Sequence, residues 1–85
     1  MTADLRQLAA EAQAALNAAK DAAALEVWRA RYFGRKGVLS DVMARLSTLP
    51  KEERPAYGKA ANEFRQMLEA AFAARQEALR QAELA

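Results

Sequence analysis

A stripe of apolar side chains at helical spacing runs through the last third of the chain. Pro55 is tolerated only in the first turn of a helix, so this helix is predicted to begin between Glu52 and Pro55 and to run to Leu84. At 1.5 Å per residue it is about 45–50 Å long. The stripe follows steps of three, four and seven residues, which place side chains on one helix face: Tyr57, Ala61, Phe64, Leu68, Phe72 and Leu79.

A helix of this length cannot bury its own apolar face, so the rest of the chain must cover it. Composition indicates that the rest is helical too. The 85 residues include 23 alanines but only three glycines and two prolines. Alanine is the best helix former, and glycine and proline are the worst. The predicted fold class is therefore all-α, in one small domain over residues 1–85.

Two helical patterns occupy the N-terminal part. Residues 3–19 and 22–33 each carry apolar side chains at steps of three and four. We expect a break between Asn17 and Asp21, because Asn weakens a helix and Asp21 can cap a new one. The second helix must stop by Gly34.

A third, short pattern covers residues 38–47. Ser40 is its predicted N-cap, and Pro50 ends it because the residue before proline is pushed out of the α region. We expect residues 3–47 to fold back along residues 52–84 as a long antiparallel helical hairpin, a coiled-coil arm with the short helix near its turn.

The junction between the second and third patterns is basic. From Arg29 to Ser40 there are four cations and no acid, and residues 34–54 hold the whole formal net charge of +2. Gly34 and Gly37 bracket two of these cations and let the backbone turn and approach a polyanion closely. Two interpretations stay open, a phosphate contact and a solvated loop that only reverses the chain. The cations are Arg29, Arg31, Arg35 and Lys36.

A second group of cations surrounds Pro50: Lys51, Arg54 and Lys59. They either extend a basic stripe or belong to an ordinary salt-bridged helix start, since Glu52 and Glu53 lie among them. The aromatic residues Trp28, Tyr32, Phe33 and Phe64 are capable of stacking on bases. Their helical spacing on an apolar face favours a place in the core instead.

Nothing in the sequence indicates a catalytic or metal site. The chain has no Cys and no His, which removes disulfides, Cys/His zinc sites and Cys or His nucleophile pairs. We expect no catalytic residue, no metal ligand and no cofactor in this chain. The N-terminus carries no secretory signal pattern, and no apolar run approaches the ~18 residues of a membrane span. A cytoplasmic location is expected.

Two blocks of sequence resemble one known family. Residues 27–40 read VWRARYFGRKGVLS, residues 46–58 read LSTLPKEERPAYG, and Asn62-Glu63 follow. Over residues 16–70 this is similar to the N-terminal domain of the bacterial phenylalanyl-tRNA synthetase α subunit. Phe33 stands where the family pattern has Leu, and Ser40 where it often has Thr.

The resemblance implies a helical tRNA-binding arm at the start of a class II aminoacyl-tRNA synthetase subunit. In that family two α and two β subunits assemble, and the enzyme joins phenylalanine to tRNA(Phe) with ATP and magnesium. The catalytic domain is then expected beyond residue 85. Carried over by position, Arg35 and Lys36 are the main candidates for tRNA contact, with Arg31 and Arg54 as weaker ones.

Two functional hypotheses follow. In the first, the chain is an arm that places a few cations against tRNA phosphates and helps to position the tRNA for aminoacylation by the full enzyme. In the second, it is a helical coiled-coil module for protein–protein interaction or dimerisation that binds no RNA. The resemblance makes the first the main prediction and the second its alternative. The thin, alanine-rich core favours the second for an excised fragment, because a methyl group buries little area and a dimer would bury more.

Overall fold

Four α-helices make up residues 3–84, the part of the chain that this computed structural model describes. The helices are α1 (Ala3–Ala18), α2 (Ala22–Phe33), α3 (Val38–Leu46) and α4 (Arg54–Leu84). The described part holds no strand, so the all-α fold class is confirmed. The molecule is elongated and measures 51 × 20 × 15 Å.

The long helix α4 begins at Arg54, within the predicted window. Pro55 lies in its first turn, where the missing N–H would have no helical partner in any case. A tight turn precedes it, because the Glu53 N–H donates to the Pro50 carbonyl at 3.0 Å. The Tyr57 N–H then donates to Glu53 at 3.1 Å and starts the regular ladder.

The predicted break between α1 and α2 is present. The N–H of Ala19 donates to the Leu16 carbonyl, and α1 ends at Ala18. Asp21 has an extended backbone, and its side chain accepts a hydrogen bond of 2.8 Å from the Ala24 N–H. The Asp21 N-cap is therefore confirmed.

The N-cap predicted for α3 is wrong. The helix begins at Val38 with Gly37 as its N-cap, three residues before the predicted cap at Ser40. The cause lies in the turn, where the Asp41 N–H donates to the Gly37 carbonyl at 3.1 Å and starts the helical ladder early. The Ser40 hydroxyl donates to the Gly34 carbonyl at 3.4 Å instead.

The predicted two-rod hairpin is not confirmed. Near the start of α1, Asp4 lines a groove together with Tyr57, at the start of α4. After α1 ends, the Ala19 carbonyl accepts hydrogen bonds from Arg75, far along α4. Helix α1 therefore runs in the same direction as α4, and the break near Asp21 reverses the chain so that α2 returns.

The core lies along the middle of α4. Phe64, Leu68 and Ala61 are fully buried there, and Leu5 and Leu16 of α1 cover them. Helices α2 and α3 close the other side with Leu25, Trp28, Tyr32 and Val42. Trp28 is only 4% exposed, and its indole N–H donates to the Ala12 carbonyl at 3.0 Å. The aromatic residues Trp28, Tyr32 and Phe64 thus belong to the core.

The glycine turn lies beside the middle of α4 and not at the end of the rod. Just before the turn, the Phe33 ring contacts the Phe72 ring with centroids 6.3 Å apart. At the end of α3, Leu46 faces Gly58 near the start of α4. Helix α3, nine residues and about 13 Å long, therefore separates the turn from the end of the rod.

Candidate nucleic-acid interface

The turn between α2 and α3 is held very close to the end of α2. The Gly34 N–H donates to the Ala30 carbonyl at 3.0 Å, and the Gly37 N–H donates to the Gly34 carbonyl at 2.9 Å. A Cβ on Gly34 would lie 2.2 Å from the Ala30 oxygen, and one on Gly37 would lie 2.6 Å from the Arg31 oxygen. Neither glycine has a positive φ. Close backbone approach, and not a left-handed conformation, therefore requires glycine at both positions.

The turn presents Arg35 and Lys36 to solvent. Both side chains are exposed. Within residues 3–84 neither one has a hydrogen-bonding or ion-pairing partner. A short turn closed by backbone hydrogen bonds thus holds two adjacent cations whose charge the fold does not neutralise.

Three other arginines in the described part of the chain form ion pairs with glutamates: Arg29, Arg65 and Arg80. Arg29 donates from Nε to both carboxylate oxygens of Glu26 at 3.0 Å, and the two side chains form an ion pair. Arg80 lies 3.2 Å from Glu77. The hydrogen bond from Arg29 holds the pKa of Glu26 below its ordinary value, and the Arg29 charge adds to that effect. Arg29 is therefore a weaker candidate for phosphate contact than Arg35 and Lys36.

Arg31 is exposed, one helical turn before Arg35. Its guanidinium carbon lies 5.7 Å from the centroid of the Tyr32 ring, in cation–π range. This contact holds the side chain without neutralising its charge. Arg31 is therefore an exposed cation near the end of α2, four residues before Arg35 in the sequence.

Arg54 has a different environment. Its Nε donates to the Leu49 carbonyl at 3.0 Å and its Nη2 to the Ser47 carbonyl at 3.3 Å. Arg54 thus fastens the connection between α3 and α4, and α3 separates it from the glycine turn. The structure does not bring it together with the other three predicted residues.

Helix α3 adds a weaker positive potential behind the turn. Its N-cap, Gly37, makes no side-chain hydrogen bond to the first turn. The N-terminal end of a helix carries a partial positive charge that favours nearby anions. Asp41 opposes this, since it lies in the first turn of α3. Arg35 and Lys36 therefore dominate the local charge.

Sequence reasoning missed two long-range contacts that shape this surface. The Trp28–Ala12 hydrogen bond fixes α2 against α1, and the Arg75–Ala19 hydrogen bonds fix α1 against α4. Both use a backbone carbonyl as acceptor, so the pattern of residue types in the sequence does not predict these contacts. Trp28 was assigned to an apolar face, which is correct, but its N–H partner lies 16 residues away.

Over residues 3–84 there is no group of three or more His, Cys, Asp or Glu side chains that could hold a metal ion. None of the helices described is long and apolar enough to cross a membrane. The arrangement is suited to binding a polyanion through charge, and no chemical step is assigned to it.

Comparison with known proteins finds one matching family model and several similar proteins. Residues 20–85 match the family model described as aminoacyl tRNA synthetase class II, N-terminal domain. The whole chain is 45% identical to a phenylalanine–tRNA ligase alpha subunit of Desulforudis audaxviator, of which it covers 25%.

Two further relatives carry the same description. Over 80 residues, 94% of the chain, it is 40% identical to the phenylalanine–tRNA ligase alpha subunit of Staphylococcus carnosus, covering 23% of that protein. Over the same share it is 45% identical to that of Yersinia pestis, covering 24%. The chain therefore spans about a quarter of the length of these relatives. No solved structure matches it significantly.

Proposed function

The chain belongs to the family of class II aminoacyl-tRNA synthetase N-terminal domains, and from this premise we propose that it is the tRNA-binding arm of a phenylalanine–tRNA ligase alpha subunit. In this role it binds the phosphate backbone of tRNA(Phe) and helps to position the molecule for aminoacylation. The reaction itself, with its ATP and magnesium, belongs to the remainder of the full enzyme. A beta subunit in an α2β2 assembly and a cytoplasmic location are part of the same proposal.

The observation that carries this proposal is the pair of unneutralised cations in the glycine turn. Arg35 and Lys36 are exposed, adjacent and held on a turn that backbone hydrogen bonds close. Lysine and arginine that neutralise phosphates release counterions, which drives binding without reading sequence. Arg31 adds a further exposed cation, four residues before Arg35 in the sequence. Arg54 stays a weaker candidate, because its guanidinium is engaged with two carbonyls of its own chain.

The elongated shape supports a positioning role. We take α4, with α2 and α3 running back along it, as a projecting antiparallel arm, and α1 as a third helix that stiffens it. A rigid rod 51 Å long can hold a tRNA at a distance from the reacting groups. Such an arm lowers the entropy cost of bringing the 3′ end to an active site elsewhere.

A double substitution tests the proposal. Arg35→Ala with Lys36→Ala is expected to weaken binding of tRNA in a filter assay, while pyrophosphate exchange by the full enzyme, which reports amino-acid activation, stays unchanged. Arg6→Ala with Lys20→Ala is the matched control, since it removes one exposed cation from α1 and another from the connection that follows α1. An unchanged tRNA affinity in the turn variant would remove the main support for the proposal.

The second hypothesis, an interaction module without RNA binding, has one observation in its favour. Val27 is 69% exposed on α2, beside small alanine side chains of α1. Sedimentation of the chain with and without tRNA at low salt separates the two. A dimer whose sedimentation does not change with tRNA supports the interaction module. A monomer that sediments faster with tRNA supports the arm.

A further inference from the structure

A notch beside the glycine turn has a partly aromatic lining. Its walls are Arg29, Phe33, Glu69 and Phe72. Phe33 and Phe72 are half-buried, and their rings meet almost at a right angle, with an interplanar angle of 79°. The notch is open to solvent, so these two rings form a corner in which a flat ligand can stack on one ring and rest its edge on the other.

The corner is rigid because both rings pack on a buried indole. Trp28 lies parallel to Phe72, with centroids 5.9 Å apart, and meets Phe33 edge-on at 5.8 Å. Trp28 itself is fixed by its hydrogen bond to Ala12. A stacking platform held in this way loses little side-chain entropy when a ligand binds.

The rim of the notch is polar and matches a nucleobase. Arg29 lines the notch, and its guanidinium donates to Glu26. Glu69 lies 3.6 Å from Arg65, and both side chains are about half exposed. Exposed pairs of this kind are weak, so the Glu69 carboxylate is free to accept hydrogen bonds from a base edge.

The notch adjoins the cations of the turn. Phe33 precedes Arg35 by two residues, so their Cα atoms are at most about 7 Å apart. The two side chains therefore leave the backbone close together, near enough for one strand of RNA to reach both. One RNA segment can therefore contact Arg35 and Lys36 through phosphates and the notch through a base.

We propose that this notch binds one unpaired purine base of the RNA whose phosphates contact Arg35 and Lys36. The inference rests on the proposed function and adds a base-stacking site to it. A purine offers the larger stacking face, and its ring N–H or amino group provides the donor that Glu69 accepts. Phe33 supplies an aromatic face where the related family pattern described above has Leu.

Three RNA hairpins test the proposal. They are identical except at one bulged position, which carries a purine, a uracil or an abasic site. The wild-type chain is expected to bind the purine hairpin at least about fivefold more tightly than the abasic one at low salt. Phe33→Leu is expected to abolish this preference while leaving the salt dependence of binding unchanged. Glu69→Gln is the second variant and is expected to reduce the preference in part.

Each other result overturns the inference in a distinguishable way. If the wild type binds all three hairpins equally well, the notch is not a base-binding site, and the proposed phosphate contacts are unaffected. A preference that survives in Phe33→Leu places the stacking site elsewhere. No binding of any hairpin at about 50 mM salt contradicts both the notch and the proposed function. Since the purine and abasic comparison uses the wild-type chain, it stands even if a variant fails to fold.

Discussion

The guanidinium of Arg75 donates two hydrogen bonds to the carbonyl oxygen of Ala19, from Nε at 3.0 Å and from Nη2 at 2.8 Å. The same Nη2 lies 3.3 Å from the Asn17 carbonyl. These carbonyls are among those that the end of α1 leaves without helical partners. A charged side chain from α4 therefore caps α1 and fixes the end at which the chain reverses.

Arg75→Ala is expected to lower the free energy of unfolding by about 1.5–2 kcal/mol, because it leaves partly buried carbonyls without their charged donor. Urea denaturation followed by circular dichroism measures this. Arg80→Ala is the control on the same helix, since Arg80 makes only an exposed pair with Glu77 and its removal should cost well under about 1 kcal/mol. Equal losses in the two variants would contradict the capping role.

Trp28→Phe isolates the indole hydrogen bond. Phenylalanine keeps an aromatic ring against Phe72 but cannot donate to the Ala12 carbonyl. We expect a loss of about 1–2 kcal/mol in the free energy of unfolding, against about 3–5 kcal/mol for Trp28→Ala, which also opens a cavity. Thermal unfolding of both variants checks this, and a Trp28→Phe variant as stable as the wild type would show that the N–H contributes nothing.

Substitution of the three glycines by alanine is predicted to change the free energy of unfolding in opposite directions. Gly34→Ala and Gly37→Ala place a Cβ against backbone oxygens at 2.2 and 2.6 Å, which cannot move without opening the end of α2. Each should cost about 1–3 kcal/mol. Gly58→Ala meets only a Leu46 methyl group at 3.8 Å and lies inside α4.

Gly58→Ala should therefore stabilise the fold by about 0.5–1 kcal/mol through helix propensity. Chemical denaturation of the three variants side by side decides the matter. If Gly34→Ala were neutral, the close approach in the turn would not be a requirement of the fold.

A weak acid dependence of stability is expected from two glutamates. The hydrogen bond from Arg29 lowers the pKa of Glu26 below the ordinary 4.5, and hydrogen bonds from Gln81 and then Arg80 lower the pKa of Glu77. A lowered folded-state pKa gives stability that is present above the unfolded pKa and is lost as the pH falls through the folded one.

The variant Glu26→Gln with Glu77→Gln is thus expected to lose slightly less stability than the wild type when the pH falls below about 4.5. Thermal unfolding at about pH 6 and about pH 3 measures the difference in stability loss between the two proteins. The effect is small because both carboxylates are exposed. Curves that fall by the same amount would show that neither pair stabilises the fold.

The helices could be predicted from local sequence, and their arrangement could not. Apolar spacing, Asp21 as a cap and Pro55 in a first turn each act within a few residues, so the boundaries of α2 and α4 follow from them. The start of α3 does not, because the backbone of the glycine turn sets it. The end of α1 is held against α4 by Arg75, 56 residues away from the carbonyl that it caps. An apolar stripe covers α4 equally well in either direction, so periodicity alone did not distinguish a parallel α1 from a hairpin.

The candidate site also has one part that could be predicted from the sequence and one part that could not. Arg35 and Lys36 were predicted from two glycines and the absence of acids, and the structure places both in solvent without partners among the residues it describes. Arg54 is a weaker candidate from the sequence, and the structure adds a difference, because its guanidinium donates to the carbonyls of Leu49 and Ser47. Hydrogen bonds to a backbone leave no signature in residue identity, so this difference was not predictable.

The central claim is that Arg35 and Lys36 contact tRNA phosphates, and the salt dependence of binding tests it most directly. For three or four phosphate contacts, a plot of log affinity against log salt has a slope of about −2 to −3.5. Arg35→Ala with Lys36→Ala is predicted to make this slope shallower by about 1.5, while Arg6→Ala with Lys20→Ala leaves it unchanged. A slope that is the same for the wild type and the turn variant would contradict the account.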